Sequence, residues 1–171
     1  MAEFQTCRPA TLSRDAFVSQ FADIYEHSPW VAEATFDDGL VPDDNQIESL
    51  HKKMATILIA ASKEKQLALI NAHPDLAGRA AVNGELTAAS TSEQAGAGID
   101  QCSADEFTQF TDFNNSYKER FNFPFIMAVK GANRYQILDS FEVRLGNDSE
   151  TEFATAIEEI NKIALFRLRD M

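Results

Sequence analysis

The chain has few of the residues that build metal clusters, disulfide frameworks or nucleic-acid surfaces. Its two cysteines, Cys7 and Cys102, lie far apart in the sequence and form neither a zinc pattern nor a disulfide framework. Its three histidines, His27, His51 and His73, are scattered, and no H-E-x-x-H pair joins them, so no metal site is expected. Positive charge is scarce as well. Fifteen Lys and Arg stand against 27 Asp and Glu, and a formal net charge of −12 repels a phosphate backbone, which excludes nucleic acid as the expected partner. No apolar run reaches the length of a membrane span. No charged leader with an apolar stretch precedes Arg14, and the ending Arg169-Asp170-Met171 is not a peroxisomal address of the small-basic-Leu type. The compartment expected from these absences is the cytoplasm. There is no internal repeat, low-complexity tract or linker, so residues 1–171 read as one compact domain, with 1–10 as a loosely held tail.

What the chain does have is phenylalanine: 13 Phe against one Trp and three Tyr, in a sequence that is 44% hydrophobic. Their spacing is helical. Ser13 can cap a helix with Phe17, Phe21, Ile24 and Tyr25 inward, and His27-Ser28-Pro29-Trp30 breaks it and starts a short second one ending near Gly39. Ile47, Leu50, Met54, Ile57 and Leu58 mark a strongly amphipathic helix, and Ser62 can open another with Leu67 and Ile70 buried. Ser103 with Glu106 has capping-box spacing ahead of Phe107, Phe110, Asn114, Tyr117 and Phe121. Helices from Asn133 to Gly146 and from Ser149 to Arg169 complete an all-α domain of about eight helices. Residues 122–129 alone read as extended; a single such segment has no partner strand, so its backbone N–H groups must bond elsewhere.

Three places carry chemistry. His73-Pro74 ends an apolar helical run, because proline drives the residue before it out of the α region. The stretch from there to Gly98 holds four of the seven glycines and a second capping-box pair, Ser90 with Glu93. His73 either caps its helix or exchanges protons; Glu93 either completes the cap or supplies a carboxylate. In the last helix, Arg167 falls on the stripe of Phe153, Ile157, Ile160 and Ala164, a permanent charge on an inward face. Burying it alone would cost several kcal/mol, on the order of the penalties for buried ions, so it must meet a carboxylate of the protein or of a ligand. Leu165 and Phe166 add apolar surface off that stripe and hint at a subunit contact. His27 and His51 read as structural. These signals are compatible with an enzyme, and they leave a helical interaction module and a metal hydrolase as rivals from other classes.

Five segments in order carry a resemblance: EHSPWVAEA at 26–34, HPDLAGRAA at 73–81, STSEQAGAG at 90–98, FNFPFIMAVKG at 121–131 and EEINKIALFRLRD at 158–170. Together they are similar to the 2-oxo-4-hydroxy-4-carboxy-5-ureidoimidazoline (OHCU) decarboxylase family, from about Arg14 to Arg169. The resemblance implies an all-α, homodimeric, cofactor-free enzyme of urate breakdown that releases carbon dioxide to give (S)-allantoin. It implies His73, Glu93 and Arg167 as catalytic residues, with Arg167 also binding the substrate. Pro74, Ser90 and Gln94 are implied as substrate contacts, and residues 123–126, with Phe123, Phe125 and Ile126, as a pocket wall offering backbone N–H groups. Leu165-Phe166 departs from the family pattern, which has a more polar residue followed by Leu; the departure touches the neighbours of Arg167, not its chemistry.

Overall fold

Ser13 accepts a hydrogen bond from the Ala16 N–H and so starts helix α1, Arg14–Phe21. The computed structural model describes residues 2–78 and 83–171. Helix α1 is followed by α2 (Trp30–Asp37), α3 (Ile47–Ala60), α4 (Lys63–Ala72), α5 (Ala88–Gly96), α6 (Ala104–Phe121), α7 (Arg134–Leu145) and α8 (Ser149–Arg169). The fold is all-α, as its periodicity predicts. Among the described residues extended pairing is limited to one isolated bridge, between Glu3 and Gln46. No helix among them is long and apolar enough to cross a membrane.

The chain divides into two compact units, one made of the residues up to Ala72 with Ile160–Met171, the other of His73–Glu159. In the first unit, Phe17 and Phe21 of α1 meet at 4.7 Å between ring centroids, and Phe36 of α2 approaches Phe17 at 5.6 Å. Leu50, Met54 and Leu58 of α3 and Leu69 and Ile70 of α4 are wholly buried. Leu67, expected inside, is 37% exposed. At 100° per residue it points away from Leu69, which takes the core position instead. Asn161 of α8 accepts the Tyr25 hydroxyl at 2.8 Å, and its carbonyl meets His51 Nε2 at 2.7 Å, a structural role for that histidine. Burial pushes the Tyr25 pKa well above its ordinary value.

Two boundaries differ from the sequence reading. Helix α1 stops at Phe21, so Ile24 and Tyr25 are buried from the turn that follows, not from the helix. The carbonyls of Asp23 and Ile24 face the guanidinium of Arg167 at 3.3 and 3.4 Å, which takes up acceptors that a continuing helix would need. The segment before Ser13 makes specific contacts where a loose tail was expected. Phe4 is buried against Phe21, the Ile47 N–H donates to the Ala2 carbonyl, and the Ala10 N–H donates to Asn45 Oδ1.

The second unit is built around phenylalanines. Phe125 stacks on Phe141 at 3.7 Å and meets the Tyr117 ring edge-on at 5.3 Å, while Phe121 and Phe123 pack beside them. Ser103 and Glu106 form the expected reciprocal cap on α6. Asn133 caps α7 by accepting from the Tyr135 and Gln136 N–H groups. Phe107, expected inside, is 37% exposed, because its place in the first turn of α6 puts it at the mouth of two surface clefts.

Candidate active site

His73 follows the last residue of α4 and, with Pro74, opens a turn whose next three residues are each fixed by a different side chain. The Asp75 carboxylate pairs with Lys118 Nζ at 2.5 Å. The Leu76 carbonyl accepts from Asn114 Nδ2 at 2.8 Å. The Ala77 N–H donates to Gln94 Oε1 at 3.1 Å, and Gln94 Nε2 donates back to the Asp75 carbonyl at 3.4 Å. Ala77 sits at φ +52, and a Cβ at Gly78 would stand 2.6 Å from the Asp75 Cβ, so only glycine closes this turn. Arg79, Ala80 and Ala81 of the same motif lie outside the described residues.

Helix α5 presents Ser90, Glu93 and Gln94 at helical offsets that share one face. Ser90 and Gln94 are each only 5% exposed, and Glu93 is half-buried. The capping box expected from Ser90 and Glu93 is not formed. Thr87 is the N-cap, accepting from the Ser90 N–H at 3.2 Å, which puts Ser90 three residues inside the helix. The sequence reading passes over Thr87, whose backbone is extended (φ −60, ψ 157) as an N-cap requires. Freed from the cap, Ser90 and Glu93 become side chains of the helix body.

The extended segment runs through Phe123, Phe125 and Ile126, all at least 95% buried by their exposures of 5%, 2% and 2%. It forms no ladder. Two of its backbone groups meet charged side chains: Arg144 Nη1 donates to the Ile126 carbonyl at 2.6 Å, and the Ala128 N–H donates to Glu159 Oε2 at 2.7 Å. His73, Pro74, Ser90, Glu93, Gln94, Phe123, Phe125 and Ile126 thus all belong to the unit His73–Glu159.

Arg167 belongs to the other unit, where the carboxylate it requires is the protein's own. Its Nη2 lies 2.8 Å from Glu26 Oε2, with side-chain exposures of 8% and 2%. Glu26 is delivered by a tight turn: His27 adopts φ +46, and Ser28 Oγ donates to the Glu26 carbonyl at 2.9 Å. Among the described residues no three His, Cys, Asp or Glu side chains converge as a metal site would require.

The sequence profile of the OHCU decarboxylase family matches residues 10–169. The chain belongs to that family. It is 42% identical over 159 residues to the 2-oxo-4-hydroxy-4-carboxy-5-ureidoimidazoline decarboxylase of Haloferax volcanii, an alignment covering 93% of this chain and 90% of that protein. It is 37% identical over 160 residues to the uric acid degradation bifunctional protein of Bacillus sp. (strain TB-90), covering 94% of this chain but 30% of that protein. Among solved structures, the crystal structure of (S)-allantoin synthase superposes with a TM-score of 0.73 at 29% identity, over 95% of this chain and 52% of that one. This OHCU decarboxylase family member therefore spans about half of that solved chain and under a third of the bifunctional protein.

Residue patterns missed the partners that fix the site. Glu26 had a usable signal, since a buried arginine demands a carboxylate and Glu26 opens a polar break between two helices. Asn114 and Lys118 lie on the α6 stripe and its edge, with no local mark of their attachment to the His73 turn. Arg144 and Glu152 look like surface residues of amphipathic helices.

Proposed function

We propose that this protein decarboxylates OHCU to (S)-allantoin in urate degradation, without a cofactor, using His73 and Glu93 as proton-handling groups and Arg167 as the anion clamp. The observation that carries this reading is the joint between the His73 turn and α5. Gln94 holds Ala77 and Asp75 through both ends of its amide, so the residues flanking it are fixed together. Glu93 precedes that clamp on one strand of chain and His73-Pro74 precedes it on the other. Positioning of this kind is what proton transfer needs, since a catalytic group must lie within hydrogen-bond reach of its proton.

The substrate supplies its own electron sink. When the bond between the hydroxyl-bearing carbon and its carboxylate breaks, the electron pair moves into the ring and on to the adjoining imine. The imine nitrogen, now carrying the charge, takes a proton; the hydroxyl then loses its own as the ring carbonyl forms, and the neighbouring carbon takes one on one face. The anion plus one proton yields allantoin and carbon dioxide. An imidazole can both receive and return a proton near neutral pH, which suits His73 to this sequence. Glu93 orients that imidazole or holds the substrate hydroxyl and ureido N–H groups. Arg167, locked by Glu26, offers a guanidinium whose direction is set before substrate arrives, suited to a carboxylate. Backbone N–H groups at Phe125 and Ile126 steady a substrate oxygen, as preorganised donors do, while Pro74, Ser90 and Phe123 complete the wall.

Freshly generated OHCU, mixed with the protein and followed by circular dichroism, tests the reading. The expected result is rapid formation of one enantiomer, against slow decay to racemic allantoin in buffer. Decay that the protein neither accelerates nor makes chiral would overturn it.

A further inference from the structure

Arg144 makes three contacts at once. Its Nε donates to Glu152 Oε1 at 2.8 Å, its Nη1 donates to the Ile126 carbonyl at 2.6 Å, and its guanidinium covers the Phe125 ring at 4.2 Å. Glu152 is wholly buried and is held in turn by the Tyr117 hydroxyl at 2.6 Å and Asn147 Nδ2 at 3.0 Å. The Phe125 ring has Arg144 on one contact and Phe141 stacked at 3.7 Å on another.

Stability alone does not account for this pair. A buried ion pair gains little over well-packed apolar residues of the same volume, because desolvating both charges cancels most of the attraction. An apolar residue at position 144, however, could cover Phe125 but could not donate to the Ile126 carbonyl. The two contacts bracket one group. Phe125 lies before the Ile126 N–H and the Ile126 carbonyl lies after it, so fixing both fixes the direction of that N–H. In an extended segment with no strand beside it, nothing in a ladder would otherwise do so.

We infer that Arg144, seated by Glu152, is a positioning residue that aims the backbone N–H of Ile126 at the substrate. The inference rests on the reading that this wall of the pocket receives OHCU, and it assigns the wall's geometry to a side chain outside it. Arg144 touches no reacting atom. It acts by holding a donor where charge develops during decarboxylation, so its loss falls on turnover more than on substrate binding.

Arg144→Lys tests this, because an ammonium keeps the charge beside Glu152 but lacks the fork that reaches a second acceptor in fixed geometry. The expected result is a fall in kcat of about ten-fold or more, short of the ~100-fold cost of deleting a whole oxyanion donor, with KM little changed and the protein folded at the assay temperature. Asn133→Ala is the control: it removes the cap at the far end of the same helix, and should lower the melting temperature while leaving kcat alone. Should Arg144→Lys fail to fold, Glu152→Gln carries the test, since it keeps an acceptor for Arg144 and removes the charge that seats it; kcat should fall there too. Unchanged kcat in the folded Arg144 or Glu152 variant overturns the inference, as does a loss in Asn133→Ala that matches theirs at equal melting temperature. If the unmutated protein does not accelerate OHCU decay, the pocket reading itself fails, and this inference with it.

Discussion

Deleting the Arg167 side chain would strip from Glu26, only 2% exposed, the guanidinium 2.8 Å away. Breaking a buried pair from one side costs about 3 kcal/mol or more, a large share of a domain's stability. Arg167→Ala should therefore lose both activity and several degrees of melting temperature, and adding Glu26→Gln should return part of the stability but none of the activity. Thermal melts of the single and double variants check this; a double variant as unstable as Arg167→Ala would mean that Glu26 is not the source of the loss. His73 and Glu93 call for a different experiment. If both serve one proton-transfer step, each alanine variant should lose about a hundred-fold or more in kcat, as general acid–base groups do. The double variant should then be little worse than either, because residues acting as a unit are not additive. Losses that multiply instead would assign them to separate steps.

At the scale of the element, caps decide where helices begin and which side chains are left for chemistry. In α6 the Ser103 hydroxyl accepts from the Glu106 N–H and the Glu106 carboxylate accepts from the Ser103 N–H. Ser103→Ala should destabilise the protein by about 1 kcal/mol, measurable in urea unfolding. The Ser103 N–H, then the Tyr135 hydroxyl and the Arg134 guanidinium, hold the Glu106 carboxyl below its ordinary value of 4.5. Its folded pKa thus lies under its unfolded one. The contribution is complete above pH 4.5 and is lost as pH falls through the depressed folded value. Glu106→Gln should flatten that part of the acid limb of a stability–pH curve; an acid limb of unchanged steepness would show that other carboxylates dominate it. In α5 the cap is Thr87, which leaves Ser90 and Glu93 to the helix body.

At the scale of the whole molecule, we propose a homodimer. Leu165 and Phe166 lie off the buried stripe of α8, half-buried in the isolated chain. Specific dimers of ordinary size need about 800 Å² from each partner, with apolar and aromatic residues at the centre, which such a helix can supply. Light scattering at micromolar concentration should give twice the 19.0 kDa of the chain, and Phe166→Glu should shift it toward the monomer. A monomeric wild type would rule the interface out.

Periodicity, caps and breakers determined the helices by themselves, because a 3.6-residue repeat and a side chain turned back on its own backbone are local matters. Hence α3, α6, α7 and α8 lie where their apolar spacing predicts, and the Ser103 box forms as written. Family motifs name His73, Glu93 and Arg167 as candidates for the site. Tertiary structure decided what those residues touch. Burial at Arg167 was legible, but its partner, Glu26, is 141 residues distant in the chain, and several carboxylates could have served. The identity of the cap on α5, the clamp of Gln94 on the His73 turn and the hold of Arg144 on Ile126 were equally hidden. Each depends on which of several equivalent polar groups arrives within about 3 Å of an acceptor once the helices pack, and hydrogen bonding is selective at that distance, not at the level of residue type.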